Sequence, residues 1–241
     1  MIHLFALLSL LLCGVCYTGF QNSSHFHNTG NRRSLLFLVF GGALLLRLLL
    51  AYTTHGFSND IACFAAWADR IFTLGPGQFY SAEMFTDYPP GFMYVLYLIG
   101  ALRSLLQIPY YSDLHILLLK LPAILCDIAC GFLLHREAVK RLHFSDLQGI
   151  FAASAYLFQP AVILISSCWG QVDSVYTLMI ILMCLFLMKG NLLPAYAVYG
   201  LGVLLKPQML IFTPVLLTGI CDHVFLQDFS WRKFFYNLCG G

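Results

Sequence analysis

Residues 34–52 read SLLFLVFGGALLLRLLLAY, nineteen positions with one charge, Arg47, five residues before the end. A helix needs about 20 mostly apolar residues to cross the roughly 30 Å hydrocarbon core of a bilayer. This stretch therefore reads as a membrane span and sets the class of the chain. The remainder agrees: 60% of residues are hydrophobic, 10% are charged and mean hydropathy is +0.80, against about 25% charged in soluble domains. The expected fold is all-α, a polytopic membrane helical bundle with a long outward first loop bearing interfacial helices. The net charge of +2 is spread over scattered basic residues, so no nucleic acid is expected as a partner. Nine cysteines are present. Most, such as Cys126, Cys130 and Cys184, lie in apolar blocks where Cys acts as a small hydrophobe, so they do not form a disulfide framework. Cys13-Gly-Val-Cys16 also lies in such a block and is not read as a redox or metal site.

On the N-terminal side, residues 2–20 are apolar and offer only His3 where a secretory signal needs a basic start, so a retained helix is expected. Arg32-Arg33 mark the polar run before residue 34 as cytoplasmic by the positive-inside rule. Residues 1–33 thus form an N-terminal helix and cytoplasmic segment, and 34–241 the transmembrane domain.

On the C-terminal side lies the outer loop, residues 53–90, with Asp60, Asp69, Glu83 and Asp87, four of the eleven carboxylates. Ser58-Asn59-Asp60 signals a helix start, and a short helix is expected over 60–73. Asp60, Phe64, Trp67 and Ile71 share one face of it and Asp69 points the other way. It is too polar to span and is expected along the outer interface, with Trp67 as anchor. Asp87-Tyr88-Pro89-Pro90-Gly91 forms a rigid turn, with Pro90 suited to a first helical position. Residues 91–106 are read as dipping in or lying flat. That leaves loop Lys and Arg six inside to three outside, where a crossing gives five and five.

Residues 113–135 span next, carrying Lys120 and Asp127 on one face, and the basic loop to Asp146 is cytoplasmic. Residues 147–168 return outward to Trp169-Gly170-Gln171-Val172-Asp173-Ser174, 175–188 go back, and 194–218 come out again. In the last block Lys206-Pro207-Gln208 predicts a kink, because proline lacks the amide donor and crowds the preceding turn. After Asp222 the chain turns mixed and reads like an incomplete protein.

Each charge in mid-bilayer costs roughly 2.5–3.5 kcal/mol on insertion scales and needs a reason. Arg47, Lys120 and Lys206 are expected to line a cavity opening outward beneath the acidic loop, a setting suited to a lipid-linked phosphate. The plainer alternative pairs Lys120 and Asp127 with structural partners and lets Arg47 snorkel. Asp60 and Asp173 would then only complement helix starts, and Asp87 would support its turn. All three acids falling on the outer side favours function.

Taken in order, these motifs resemble those of the GT-C superfamily, the multi-spanning glycosyltransferases that use polyprenyl-phosphate sugars. Arg47, Asp60, Trp67 and the Asp87–Gly91 turn carry the first part. Lys120-Leu121-Pro122 with Asp127, WGQVDS at 169–174 and Leu205-Lys206-Pro207-Gln208 carry the rest. The resemblance covers about residues 34–218 and is to bacterial relatives of the second GPI mannosyltransferase. It implies inverting transfer of mannose or another hexose from a polyprenyl-phosphate-linked sugar donor to a hydroxyl of a glycan, lipid or protein acceptor, outside the cytoplasm. Asp60 takes the place of the general base. Arg47, Lys120 and Lys206 would face the leaving phosphate. Asp87, Asp173, Tyr88, Trp169, Gln171 and Gln208 would bind sugar or acceptor. No metal or other cofactor is expected, His25 and His27 being on the cytoplasmic segment, and membrane lipids surround the whole. Two other classes stay open. One is an inactive fragment. The other is a lipid or small-solute transporter, which would show interrupted helices in matching positions of two halves. Only the Lys206-Pro207 break is evident.

Overall fold

A computed structural model describes residues 2–22, 32–81 and 85–221, whose regular structure is helical, with no strand among them. The helices are α1 (Ile2–Asn22), α2 (Arg32–Thr53), α3 (Ser58–Leu74), α4 (Pro90–Leu105), α5 (Asp113–Lys140), α6 (Asp146–Leu157), α7 (Pro160–Ile163, running on as a π turn through Leu164–Trp169), α8 (Asp173–Met188), α9 (Leu192–Leu205) and α10 (Thr213–Cys221), the last preceded by a 3₁₀ stretch, Pro207–Phe212. Glu83, His25, His27, the side chain of Cys13 and everything from Asp222 on lie outside the described residues. Two helices, α2 and α5, are long and apolar enough to cross a membrane, or three if α6 and Pro160–Trp169 count as one bent span. At 1.5 Å per residue, α2 with 22 residues is about 33 Å long and α5 with 28 about 42 Å. Helices α4, α8 and α9 have 16, 16 and 14 residues, short for a crossing of their own. The retained N-terminal helix expected over residues 2–20 is α1, several of whose side chains lie outside the described ones.

The chain divides into two compact units. Unit 1 takes the chain up to Ala65 with Leu106–Ser174, and unit 2 takes Ala66–Leu105 with the chain from Val175.

In unit 1, α5 runs antiparallel to α2 and α6 parallel to it. The end of α2 meets the start of α5, where His55 Nδ1 lies 3.6 Å from Asp113 Oδ1 and Lys120 Nζ donates to Ala51 O at 3.2 Å. The start of α2 meets the start of α6 through Arg32 and Asp146, 3.3 Å apart. Small residues let α5 and α6 approach. A Cβ on Gly131 would meet Leu157 at 2.7 Å, and one on Gly149 would meet Val139 at 2.6 Å. Ser145 and Gln148 form a capping box at the start of α6. The outer face of α2 presents Phe37, Leu38, Leu45 and Leu49 to its surroundings, as a lipid-facing helix would.

Residues 147–168, expected as one continuous helix, are broken. Pro160 has no amide to offer Tyr156 O and forces the residue before it out of the α region. Gln159 accordingly sits at φ −61°, ψ 119°, and the axis bends by 51°.

In unit 2, α4 packs on α9 with Gly91 against the Leu204 carbonyl, and Gly100 lies against the Ala68 carbonyl of α3. Met183, Ala195, Met209 and Leu216 form a buried cluster between α8, α9, the 3₁₀ stretch and α10. Lys206 is extended at φ −154°, ψ 123° and separates α9 from the 3₁₀ stretch, where Pro207 requires a break. Pro90 opens α4. Trp67 is not an exposed interfacial anchor. It is 2% exposed, its indole N–H donates to Phe85 O at 3.1 Å, and its ring lies 5.7 Å from that of Tyr88.

Candidate active site

Asp60 stands in the first turn of α3, and the apolar residues below it on the same face, Phe64, Trp67 and Ile71, are all buried. Among the described residues its hydrogen bonds do not go to the amides of its own helix, as a simple cap would require. They come from side chains 109 and 111 positions later: Trp169 Nε1–H donates to Oδ2 at 2.9 Å, and Gln171 Nε2–H donates to the same oxygen. Both donors fall on Oδ2, which orients the carboxylate and leaves Oδ1 outside this pair.

The turn that carries Trp169 and Gln171 is locally defined. The π turn ends at Gly170, whose φ of +90° favours glycine, and its amide bonds to Ile165 O at 3.0 Å, as does that of Gln171. A Cβ at Gly170 would come within 2.6 Å of Ile61 and 3.3 Å of the Lys120 stem. The backbone following α2 holds this turn from the other side. Phe57 N–H donates to Trp169 O at 2.8 Å, and the Phe57 and Trp169 rings lie 4.9 Å apart. Asp173 follows in the first turn of α8, half-buried.

Lys120 is fully buried beneath this turn. Its ammonium has three donors and finds three acceptors: Ala51 O at 3.2 Å, Thr54 O at 2.6 Å and Thr54 Oγ1 at 3.1 Å. Thr54, which did not stand out in the sequence, donates its own hydroxyl hydrogen bond to Leu50 O at 2.6 Å and lies 3.3 Å from Ser167 O. Lys120 thus closes the C-terminal end of α2, where backbone carbonyls lack helical partners.

Arg47 is also fully buried and does not snorkel. Nε donates to Asp127 Oδ2 at 3.2 Å, Nη1 to Ala43 O at 3.3 Å and Nη2 to Leu157 O at 2.7 Å. Tyr156 O–H donates to the other oxygen of Asp127 at 3.1 Å. An unpaired charge here would be costly, and this one is matched by an anion and two carbonyls. In unit 1, therefore, Asp60, Trp169 and Gln171 come together, while Arg47 and Lys120 are occupied by protein groups.

Unit 2 holds the remaining candidates. Asp87 and Gln208 are exposed. Tyr88 packs on Trp67 and on Phe92, 5.4 Å away, and accepts from Tyr80 O–H through its carbonyl at 3.0 Å. The Lys206 ammonium lies 5.9 Å from the centre of the Tyr88 ring and 5.5 Å from that of Tyr176. Both distances suit cation–π attraction. Among the described residues, no three His, Cys, Asp or Glu side chains are grouped to hold a metal ion.

No protein-family model, curated protein or solved structure matches this chain. Any functional reading therefore stands on these residues and on their motif order.

Proposed function

We propose that this chain is a membrane glycosyltransferase, moving a hexose from a polyprenyl-phosphate donor to an acceptor hydroxyl on the extracytoplasmic side. The observation that carries the reading is the grip of Trp169 and Gln171 on Asp60. Two residues of one motif reach a carboxylate far away in sequence and aim it, which helix capping does not need. The charge distribution of unit 1 supports the orientation. Arg32, Arg33, Arg136, Lys140 and Arg141 lie at one end, together with Glu137 and Asp146, and Asp60, Asp113 and Asp173 lie toward the other; by the positive-inside rule the end rich in Lys and Arg is the inner one.

In the reaction, the acceptor oxygen attacks the anomeric carbon as the bond from that carbon to the phosphate oxygen breaks. The acceptor proton passes to Asp60, an effect typically worth about 10²–10⁴-fold. Polyprenyl phosphate departs with the electron pair, and a single displacement inverts the anomeric centre. The resemblance gives Lys206 the leaving phosphate, where positive charge stabilises the transition state. Tyr88, Asp87, Asp173 and Gln208 are assigned to sugar or acceptor hydroxyls. Lys120 shapes the floor under the Trp169 turn instead of meeting the donor.

One observation favours a second reading. The Gln159-Pro160 break in unit 1 gives the Lys206-Pro207 break of unit 2 a counterpart, as in transporters with paired interrupted helices. The fate of the donor separates the two readings. Protein in sealed vesicles, given polyprenyl-phosphate hexose labelled in the sugar, should release polyprenyl phosphate and form a glycoside of inverted configuration. Passage of the intact labelled lipid across the bilayer, with no glycoside formed, would identify a transporter instead.

A further inference from the structure

Arg47 lies two turns below the end of α2, and its Nη2 group meets the carbonyl of Leu157, the last residue of α6. In an unbroken helix that carbonyl would accept from the amide of residue 161. After the Pro160 break the local amides go elsewhere. Phe158 N–H bonds to Ser154 O at 2.9 Å, Gln159 N–H to Tyr156 O at 3.1 Å, and Ile163 N–H to Gln159 O at 3.1 Å. The Arg47 guanidinium takes the place of a C-terminal cap, a role basic side chains fill at helix ends. Asp127 holds it by one edge, and Tyr156 O–H, from the last turn of α6 itself, holds Asp127.

The far side of the break is tied to the same helix. Thr54 Oγ1 lies 3.3 Å from Ser167 O, and Phe57 N–H bonds to Trp169 O. Arg47 and Thr54 are seven residues apart, about 10 Å along the α2 axis. An unbroken helix would separate Leu157 from Ser167, ten residues on, by about 15 Å. The broken segment therefore fits its two anchors on α2 where a straight one overshoots them.

We propose that Arg47 is a positioning residue: it caps α6 and, with Thr54, splints the Pro160 break so that the turn beyond it delivers Trp169 and Gln171 to Asp60. Arg47 then acts through the shape of the chain and not as a ligand of the donor phosphate. The inference rests on Asp60 being the functional carboxylate, yet its test needs no reaction. In a Trp67→Phe, Trp231→Phe background Trp169 is the sole indole, and Asp60→Ala gives the emission of Trp169 without its hydrogen-bond acceptor. Two variants probe the splint. Arg47→Lys keeps the charge facing Asp127 but cannot also fork to Leu157 O. Arg47→Met with Asp127→Leu removes both buried charges together, so neither is stranded.

In either variant, with helix content retained by circular dichroism, Trp169 emission should move to that of the Asp60→Ala protein, and adding Asp60→Ala should change it no further. Emission identical to the parent in a folded Arg47 variant, still responsive to Asp60→Ala, overturns the proposal. Should both variants fail to fold, Tyr156→Phe removes one hydrogen bond to Asp127 and no charge. It must shift the emission in the same direction, and parent-like emission in it counts against the proposal equally. Lost turnover with unchanged Trp169 coupling in Arg47→Lys would restore Arg47 to the donor site.

Discussion

Lys206 differs from the other two basic residues in the apolar blocks by what surrounds it. Arg47 and Lys120 have no exposed surface and are committed to carbonyls and to Asp127, whereas Lys206 is half-buried between two tyrosine rings. A ring face attracts an ammonium, and the proposed function gives this one the departing phosphate. Lys206→Met keeps length and apolarity and removes the charge. Charged hydrogen bonds contribute about 1.5–3 kcal/mol, so donor affinity should fall by about 10- to 100-fold while membrane insertion persists. Equilibrium binding of polyprenyl-phosphate hexose checks this, and unchanged affinity would make Lys206 structural. At this scale the sequence was uneven as a guide. Asp60 stood out as an acid of the outer loop, and Trp169 and Gln171 as part of a polar run between apolar blocks, and they meet. The partners of Arg47 and Lys120 did not stand out, because most are backbone carbonyls, which every residue carries and no letter of the sequence marks.

Helix positions were legible wherever apolar length and turn residues agreed. Helices α2, α3, α4 and α5 begin or end within a few residues of the expected places, and Pro90 opens α4 as its fixed φ allows. The break at Pro160 was missed because its neighbours are apolar on both sides, so hydropathy runs straight through it. At Pro207 the flanking Lys206 and Gln208 made the same event visible. The route of α4 can be tested directly. His55 and Leu142 are exposed at opposite ends of α5, while Ser145 caps α6 and is better left intact. Single cysteines at His55→Cys and Leu142→Cys, in a background cleared of reactive thiols, should label from opposite sides of a sealed membrane. Labelling from one side would mean that Pro90–Leu105 crosses.

At the scale of the whole molecule, an all-helical chain with two or three helices fit to cross a membrane gathers a carboxylate, an indole and an amide at one end of its first unit. The composition announced the class, and the order of motifs suggested the chemistry. Which side chains touch was hidden, since it depends on a bend and on one helix bracing another. The central claim is that Asp60 takes the acceptor proton. Asp60→Asn keeps the shape and an oxygen that can accept from Trp169 and Gln171, and it removes only the basic carboxylate. The decisive measurement is therefore sugar transfer by the Asn variant beside its donor binding, in protein of confirmed fold. The account predicts turnover reduced by about 10²-fold or more with donor affinity nearly unchanged. Transfer close to the parent rate would contradict it.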